Sequence, residues 1–552
     1  MGINYNAGTG NEKNWIIEET NYRPEYSGKF ETIFSLGNGY MGSRSATEEA
    51  YACQRKGTFI AGLFNAFPEE VTELVNIPDW TNAEIYIRGE RMNLLSGKVL
   101  HYSRRLNMKA GTVTRSFTWV SASGKETQFE FERFLSLADL HLAVLNIKIR
   151  PVNYSGDIQI LSGIDGQQTN SGVQHFLDAA LRHYENGSIG YTARTTASKE
   201  TLYINSHCMV SSSGEIESTS HIQTDRRYIA QDIRVTAAEK QEFCFQKYTS
   251  FWTSRDREFI HEKDVSASVL MERGKKTINA AREKSFQELK KEHAIRWSRI
   301  WDRMDIQIEG PDFDQLGLRF SMFHMFQMAP VHDDRISIAA KGLSGEGYKG
   351  HVFWDAEIFN IPFYTYTFPE HACSLLTYRY NCLDGARRKA RSNGWAGAMF
   401  PWESAATGDE VTPKWGAVDI KTGEPIRIWT GELEQHITCD VFYAMWMYCK
   451  ITGDLQFFYS KFLEVMIETA RYWVDRLEYD AETDVYEITG IIGPDEFGEN
   501  VNNNGFTNYM VKWQLKKSFA VSENLFQNDS ASWKQITEKL KLKRDEPLHW
   551  KE

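Results

Sequence analysis

Glu496 is the residue of this chain whose neighbours best equip it to move a proton. It stands in the run from Gly493 to Asn508, where two adjacent acids, a third acid and four asparagines lie between a Gly-Pro break and an aromatic, amide-rich helix start. Burying that many carboxylates and amides without partners costs several kcal/mol for each group, so the run reads as a loop that presents Glu496 to a polar ligand. Two other acids directly follow a tryptophan, in Trp354-Asp355 and Trp402-Glu403. An indole face stacks on the C–H face of a sugar while a neighbouring carboxylate grips its hydroxyls, so such pairs suit a polyol. After Trp429, the residues Glu432, His436 and Asp440 recur at i, i+4 and i+8 and are expected to share one helical face. Glu434 and Gln435 are expected to point elsewhere on that turn. No spacing supplies the further ligand a metal would need, so the stripe reads as a polar pocket lining and no metal is expected.

Composition narrows the ligand. The 552 residues carry a net charge of -11, which argues against nucleic acid or an anionic membrane surface as a partner. The 16 Trp, 25 Tyr and 32 Phe are mostly core, yet they favour carbohydrate among small ligands. Two runs match Gly-x-Gly-x-x-Gly, at Gly37–Gly42 and Gly345–Gly350, but neither lies in a strand–helix–strand unit, so both read as tight turns. Neither a Walker loop nor a Gly-x-Ser-x-Gly elbow occurs. The seven cysteines are odd in number and scattered, which favours reduced thiols. With no secretory signal and no membrane-length apolar run visible, the expectation is a soluble cytoplasmic protein.

The elements that position these residues fall into three stretches. From 1 to 264, short runs such as Thr112–Val120, Gln128–Leu135 and Leu140–Pro151 alternate apolar and polar residues, which predicts an antiparallel β-sandwich. From 265 to 310, an Ala-, Glu-, Lys- and Arg-rich run predicts a helical linker. From 311 to 552 the period becomes helical, with helices expected at 314–329, 369–391, 432–451, 454–478, 507–523 and 531–541, and Asp454 as an N-cap. Long Gly-rich connections at 341–353, 393–431 and 480–505 carry the candidate residues. Helices in sequence with function on long loops fit an α/α barrel.

Four segments resemble the signatures of glycoside hydrolase family 65: Ile338 to Glu357, Pro401-Trp402-Glu403-Ser404-Ala405, Glu434-Gln435-His436-Ile437 and Gly493-Pro494-Asp495-Glu496. The run Glu31 to Tyr40 is similar to that family's β-domain, and the resemblance is collinear to about Lys516. It implies an N-terminal β-sandwich, a helical linker and an (α/α)6 barrel. It also implies an inverting phosphorylase of an α-glucosyl disaccharide, of the kind that acts on maltose, trehalose, kojibiose or nigerose. Such an enzyme releases β-glucose 1-phosphate, uses inorganic phosphate as co-substrate with no cofactor, and forms homodimers. Within it, Glu496 inherits the role of the acid that protonates the glycosidic oxygen. Trp354, Asp355, Trp402 and Glu403 fall where the family holds the non-reducing glucose, with Glu434 and His436 beside them as candidate substrate-binding residues.

Inverting transfer needs an acid on the leaving-group side and a nucleophile on the opposite sugar face. Phosphate is already anionic and needs no second carboxylate to activate it. Glu496 is therefore expected to have a raised pKa, with Asp495, Glu499 and bound phosphate as the source. Phe497-Gly498 and Asn502 stand where the family often has Tyr-His and Asp, so a changed acceptor preference is expected. Residues 511–552 carry none of the family's phosphate-binding motifs, so those residues are expected past 552 and the barrel is expected to be incomplete. Two alternatives remain at this stage: hydrolysis of an α-glucosyl disaccharide such as trehalose, and sugar binding without turnover.

Overall fold

The computed structural model describes residues 2–525 apart from 69 and 263. The helix expected at 531–541 and the remainder of the 311–552 span lie outside the described residues. Two compact units emerge: Met1–Phe67 with Leu74–Ala329 and Lys341–Gly347, and Pro68–Glu73 with Pro330–Ala340 and Tyr348–Glu552.

The first unit is a sandwich of a ten-stranded and a five-stranded antiparallel sheet, with a smaller four-stranded sheet. At the centre of the long sheet, Thr112–Val120 pairs with Glu126–Leu135, that strand with Leu142–Pro151, and that one with Phe243–Thr253. The register sets Phe117 opposite Phe129, Phe131 opposite Ile147, and Ile147 opposite Phe245. Every second residue is thereby driven into the core, as the alternation predicts. The two large sheets meet where Lys247 reaches across to Ser162 Oγ at 3.0 Å and the Gly163 carbonyl at 2.7 Å. Asn38 closes the Leu36–Gly37 and Met41–Ser43 hairpin by accepting from the amides of Tyr40 and Met41, so the first Gly-rich run is a turn.

The linker is two helices, Ala267–Arg282 and Phe286–Met304, the second started by a Ser285/Glu288 capping box. It docks by its buried face. His293 accepts from the Leu137 amide at 3.1 Å and donates to the Gly111 carbonyl at 3.1 Å, while the Trp301 indole donates to the Met108 carbonyl at 3.0 Å. Burial lowers the His293 pKa to about 4, which keeps the ring neutral for this donor-and-acceptor role. Gly111 has φ +66°, and a Cβ there would lie 1.8 Å from the Trp297 ring nitrogen, so glycine is required twice over. The Asp312–Met328 helix folds with this unit.

In the second unit the helices Ile361–Thr367, Pro369–Asn381, Ile437–Thr452, Leu463–Arg476 and Gly505–Leu525 pack as neighbours. Their core includes Met399, Cys439, Ala470, Trp473, Ile491, Val511 and Leu515. Asp454 caps its helix, its carboxylate accepting from the Phe457 amide at 2.9 Å, as expected. Three helices differ from their expected form. The 369–391 run is interrupted at Cys382, with a second helix over Leu383–Ser392; the 454–478 run contains a π-turn at Phe458–Phe462; and the 432–451 helix begins only at Ile437. Of the long connections, 393–431 and 480–505 carry short hairpins, Trp415–Val418 with Pro425–Arg427 and Glu478–Asp480 with Val485–Glu487.

Candidate active site

The loop that carries Glu496 is held at both ends. The Ile491 and Val501 amides and carbonyls exchange hydrogen bonds of 3.0 and 2.8 Å, and the Ile492 amide donates to the Leu433 carbonyl at 3.0 Å in a parallel bridge beside Glu434. The asparagines serve the loop itself. Asn502 Oδ1 accepts from the Gly490 amide, Asn503 Oδ1 from the Ile488 amide, and Asn504 Oδ1 from the Thr507 amide at the start of the last helix. Asn500 and Asn503 take positive φ of 55°, which asparagine tolerates better than most residues. Glu496 projects from this frame and is exposed, as are Asp495, Phe497 and Glu499.

The two tryptophan–acid pairs sit on segments stitched together by a bridge between Val352 and Ser404, with amide-to-carbonyl bonds of 2.9 and 3.1 Å. Trp354 is half-buried and Asp355 exposed, whereas Trp402 and Glu403 are buried. Glu403 Oε2 lies 2.6 Å from His351 Nδ1, and His351 Nε2 lies 2.6 Å from the Thr72 carbonyl. Burial raises the Glu403 pKa against the lowering effect of His351. Glu410 fixes the backbone of this segment by accepting from the amides of Trp402 and Glu403 at 2.9 and 3.2 Å, and it pairs with Lys389 at 2.5 Å.

His436 is the hub. Its Nδ1 lies 2.6 Å from Asp440 Oδ2 and its Nε2 lies 3.0 Å from Glu434 Oε1, and all three side chains are fully buried. Trp354, Trp402 and Phe506 meet the imidazole edge-on, with ring centroids at 4.9, 6.1 and 5.4 Å. Burial acting alone would lower the pKa of His436, but the two carboxylates overcome it and push it up to about 9. Burial likewise raises Glu434 to about 7 and Asp440 to about 6, against the pull of His436, and the charge of Glu496 adds to the rise at Glu434. All three shifts express one tendency, the retention of protons within the cluster.

The shared helical face expected for Glu432, His436 and Asp440 holds for the last two only. Thr430–Leu433 is a separate turn of helix, Glu434 is extended at φ -91° and ψ 106°, and His436 caps the next helix. Glu432 is thereby turned outward to pair with Arg427, and Glu434, expected to point elsewhere, becomes the second partner of His436. Asp440 belongs to the polar stripe its i+4 spacing from His436 predicts, and it joins the cluster as that spacing implies. Phe506, His351 and Glu357 are not singled out by any spacing in the sequence. Glu357 is fully buried and bidentate with Arg379, both contacts at 2.7 Å, and it faces Asp440 from another element.

The structure thus gathers Trp354, Trp402, Glu434 and His436 at one point, sets Glu496 within electrostatic reach of Glu434, and leaves Asp355 exposed next to Trp354. Aromatic rings beside buried acids and an exposed carboxyl form an arrangement able to bind a polyol and to donate a proton. Among the described residues no group of three or more His, Cys, Asp or Glu is arranged to hold a metal ion.

Comparisons with known proteins bear on the same segments. The glycosyl hydrolase family 65 central catalytic domain matches residues 319–552, and the glycosyl hydrolase family 65 N-terminal domain matches residues 17–300. A kojibiose phosphorylase of Halothermothrix orenii is 50% identical over 552 residues, which is 100% of this chain and 71% of the relative. A second, from Caldanaerobacter subterraneus subsp. tengcongensis, is 39% identical over 544 residues, covering 98% of this chain and 70% of the relative. A solved structure, a candidate kojibiose phosphorylase from the human microbiome, superposes with a TM-score of 0.83 at 25% identity, covering 96% of this chain and 70% of that one. The fold is the one this family's sequence signatures imply, and the chain belongs to glycosyl hydrolase family 65.

Proposed function

We propose that this chain carries out inverting phosphorolysis of an α-glucosyl disaccharide, with kojibiose as the first substrate to test, to give β-glucose 1-phosphate and the released sugar. Glu496 donates its proton to the glycosidic oxygen as the bond from that oxygen to the anomeric carbon breaks. A phosphate oxygen attacks the same carbon from the opposite face, which inverts its configuration. Trp354 and Trp402 provide the faces against which the non-reducing glucose rests, and Asp355 and Glu403 take its hydroxyls. Glu434 and His436 lie beneath these rings and act through them. Catalysis then depends on position and charge, because phosphate brings its own negative oxygen and needs no activating base.

The observation that carries this reading is the convergence of the two Trp–acid segments and the acid loop on His436 and Glu434. Two kojibiose phosphorylase relatives that match nearly the whole chain support the choice of substrate. A homodimer in the cytoplasm is the setting proposed. Among the described residues the seven cysteines form no disulfide, and no helix is long and apolar enough to cross a membrane. The test is incubation with kojibiose, nigerose, maltose and trehalose, each with and without phosphate. Release of glucose 1-phosphate that requires phosphate is the expected result. Release of glucose without phosphate would mean hydrolysis, and binding without turnover would mean a sugar-binding protein; either overturns the reading.

A further inference from the structure

The turn Tyr348-Lys349-Gly350 is left-handed at all three residues, with φ of 55°, 53° and 73°. Glycine adopts that conformation freely, but tyrosine and lysine do so against the steric preference of an L side chain, so strain is held at this point. What the strain achieves is the placement of His351. The His351 amide closes the turn on the Tyr348 carbonyl at 2.9 Å, and the His351 carbonyl accepts from the Ala340 amide at 3.1 Å. Its side chain is fully buried.

From that position the ring reaches two oxygens. Its Nε2 lies 2.6 Å from the Thr72 carbonyl, which only accepts, so Nε2 carries a hydrogen. Its Nδ1 lies 2.6 Å from Glu403 Oε2, a separation that requires a second hydrogen between the two atoms. That hydrogen resides on the ring, as an imidazolium beside a carboxylate, or on the acid, as a neutral pair. In both forms Oε2 is committed to His351 and the pair has no net charge. Glu403 Oε1 is different. It accepts no hydrogen bond among the described residues, and 10% of the side-chain surface stays exposed. The backbone of Glu403 is fixed independently, its amide donating to Glu410 at 3.2 Å beside the Trp402 amide at 2.9 Å. Main chain and one carboxylate oxygen are thereby immobilised, and one oxygen is left for a ligand next to Trp402.

We propose that His351 is a positioning residue for the sugar site, holding Glu403 by Oε2 so that Oε1 meets a hydroxyl of the bound glucose. This rests on the reading of Glu403 as a glucose ligand. His351 acts through that carboxylate and does not touch the sugar, since both of its ring nitrogens are engaged by the protein.

The two nitrogens are separable by substitution, because the amide of asparagine occupies the place of Nδ1 and that of glutamine the place of Nε2. His351→Asn therefore keeps a partner for Glu403 and loses the Thr72 bond, and His351→Gln keeps the Thr72 bond and leaves Oε2 bare. Binding of D-glucose, measured by calorimetry without turnover, is expected to weaken roughly ten- to hundredfold in His351→Gln, the worth of a hydrogen bond to a charged group, and to stay within a few-fold in His351→Asn. The opposite ranking overturns the proposal, since a ring that merely ties the turn to Thr72 would give it, and so does an equal loss in both. On a Glu403→Gln background, where binding is already weakened, adding His351→Gln should cost less than about twofold more, because both changes remove one interaction. A full further loss overturns the proposal. Should His351→Gln fail to fold, His351→Asn decides, and a tenfold loss of glucose binding in that variant is the adverse result. Failure of the underlying reading looks different. An unmodified protein that binds no glucose, or a Glu403→Gln variant that binds it as tightly as the unmodified chain, removes Glu403 as a sugar ligand and the proposal with it. A weakened Glu403→Gln beside an unaffected His351→Gln removes the positioning role alone.

Discussion

In the first unit, Arg115 occupies a core-facing position of the Thr112–Val120 strand and is gripped by Glu49 at 2.6 Å through both terminal nitrogens and by Glu48 at 2.8 Å. Arg133 closes the set by binding Glu48 at 2.8 Å and the Ala46 carbonyl at 2.9 Å. In the second unit, His436 is gripped by two buried acids as well, yet Glu434 and Asp440 each keep one oxygen without a partner. The first cluster has two cations for two anions; the second has one for two. Burial raises the pKa of Glu48, but the two arginines overcome it and leave that carboxyl below its ordinary range, whereas Glu434 and Asp440 end above theirs. Burial alone therefore does not set the direction in which a buried carboxyl shifts. What separates the two clusters is whether their charges balance.

Four substitutions probe this contrast. Glu496→Gln should reduce kcat for phosphorolysis by roughly 10²- to 10⁴-fold, the usual worth of a general acid, and leave the melting temperature unchanged because the side chain is exposed. Activity within a few-fold of the unmodified protein would place the acid elsewhere. Arg115→Met leaves Glu48 and Glu49 buried with one arginine between them and should cost about 3–5 kcal/mol in urea unfolding, with little change in activity per folded molecule. A cost below ~1 kcal/mol would remove the distinction between the clusters.

The third substitution uses pH. The folded pKa of His436 is raised from 6.5 to about 9, so its stabilisation is complete below pH 6.5 and is lost as pH rises through about 9. The stability gap between the unmodified protein and His436→Gln should be on the order of 1–3 kcal/mol at pH 6 and should close toward alkaline pH. A gap that widens with pH would show that the ring is neutral. The smallest effect is expected for Asn502→Asp, within ~0.5 kcal/mol, because a carboxylate still accepts from the Gly490 amide. A change in acceptor-sugar choice would show that this side chain serves the substrate in addition to the loop.

Where the sequence was readable, the reason was local periodicity. Alternation located Thr112–Val120 to the residue, and Asp454 declared itself as a cap. The i+4 spacing of His436 and Asp440 was visible for the same reason, since both lie on one continuous stretch from cap to helix. Glu434 was misread because its conformation is fixed by a parallel bridge to Ile492, far along the chain, which pulls it out of the helical register that would have favoured Glu432. No local pattern records such a pairing. Pro68–Glu73 illustrates the same limit. Thr72 lies within the β-rich half of the sequence, yet it joins the second unit and supplies the carbonyl that holds His351 behind Glu403. The asparagines of 500–504 announced a polar loop, but whether their amides face a sugar or the backbone depends on turns that composition does not encode.

Phe497 is wholly exposed at the tip of the acid loop, an open target for a chymotrypsin-like protease. A cut after it need not separate the pieces, since the Ile491–Val501 pairing lies on both sides of the break and the last helix stays packed in the core. Glu496 would then hang from a severed end, one residue from the nick, with its reach no longer fixed by closure of the chain. A nicked protein that migrates as one particle but has fallen silent would show that the aim of this carboxyl depends on an unbroken tether.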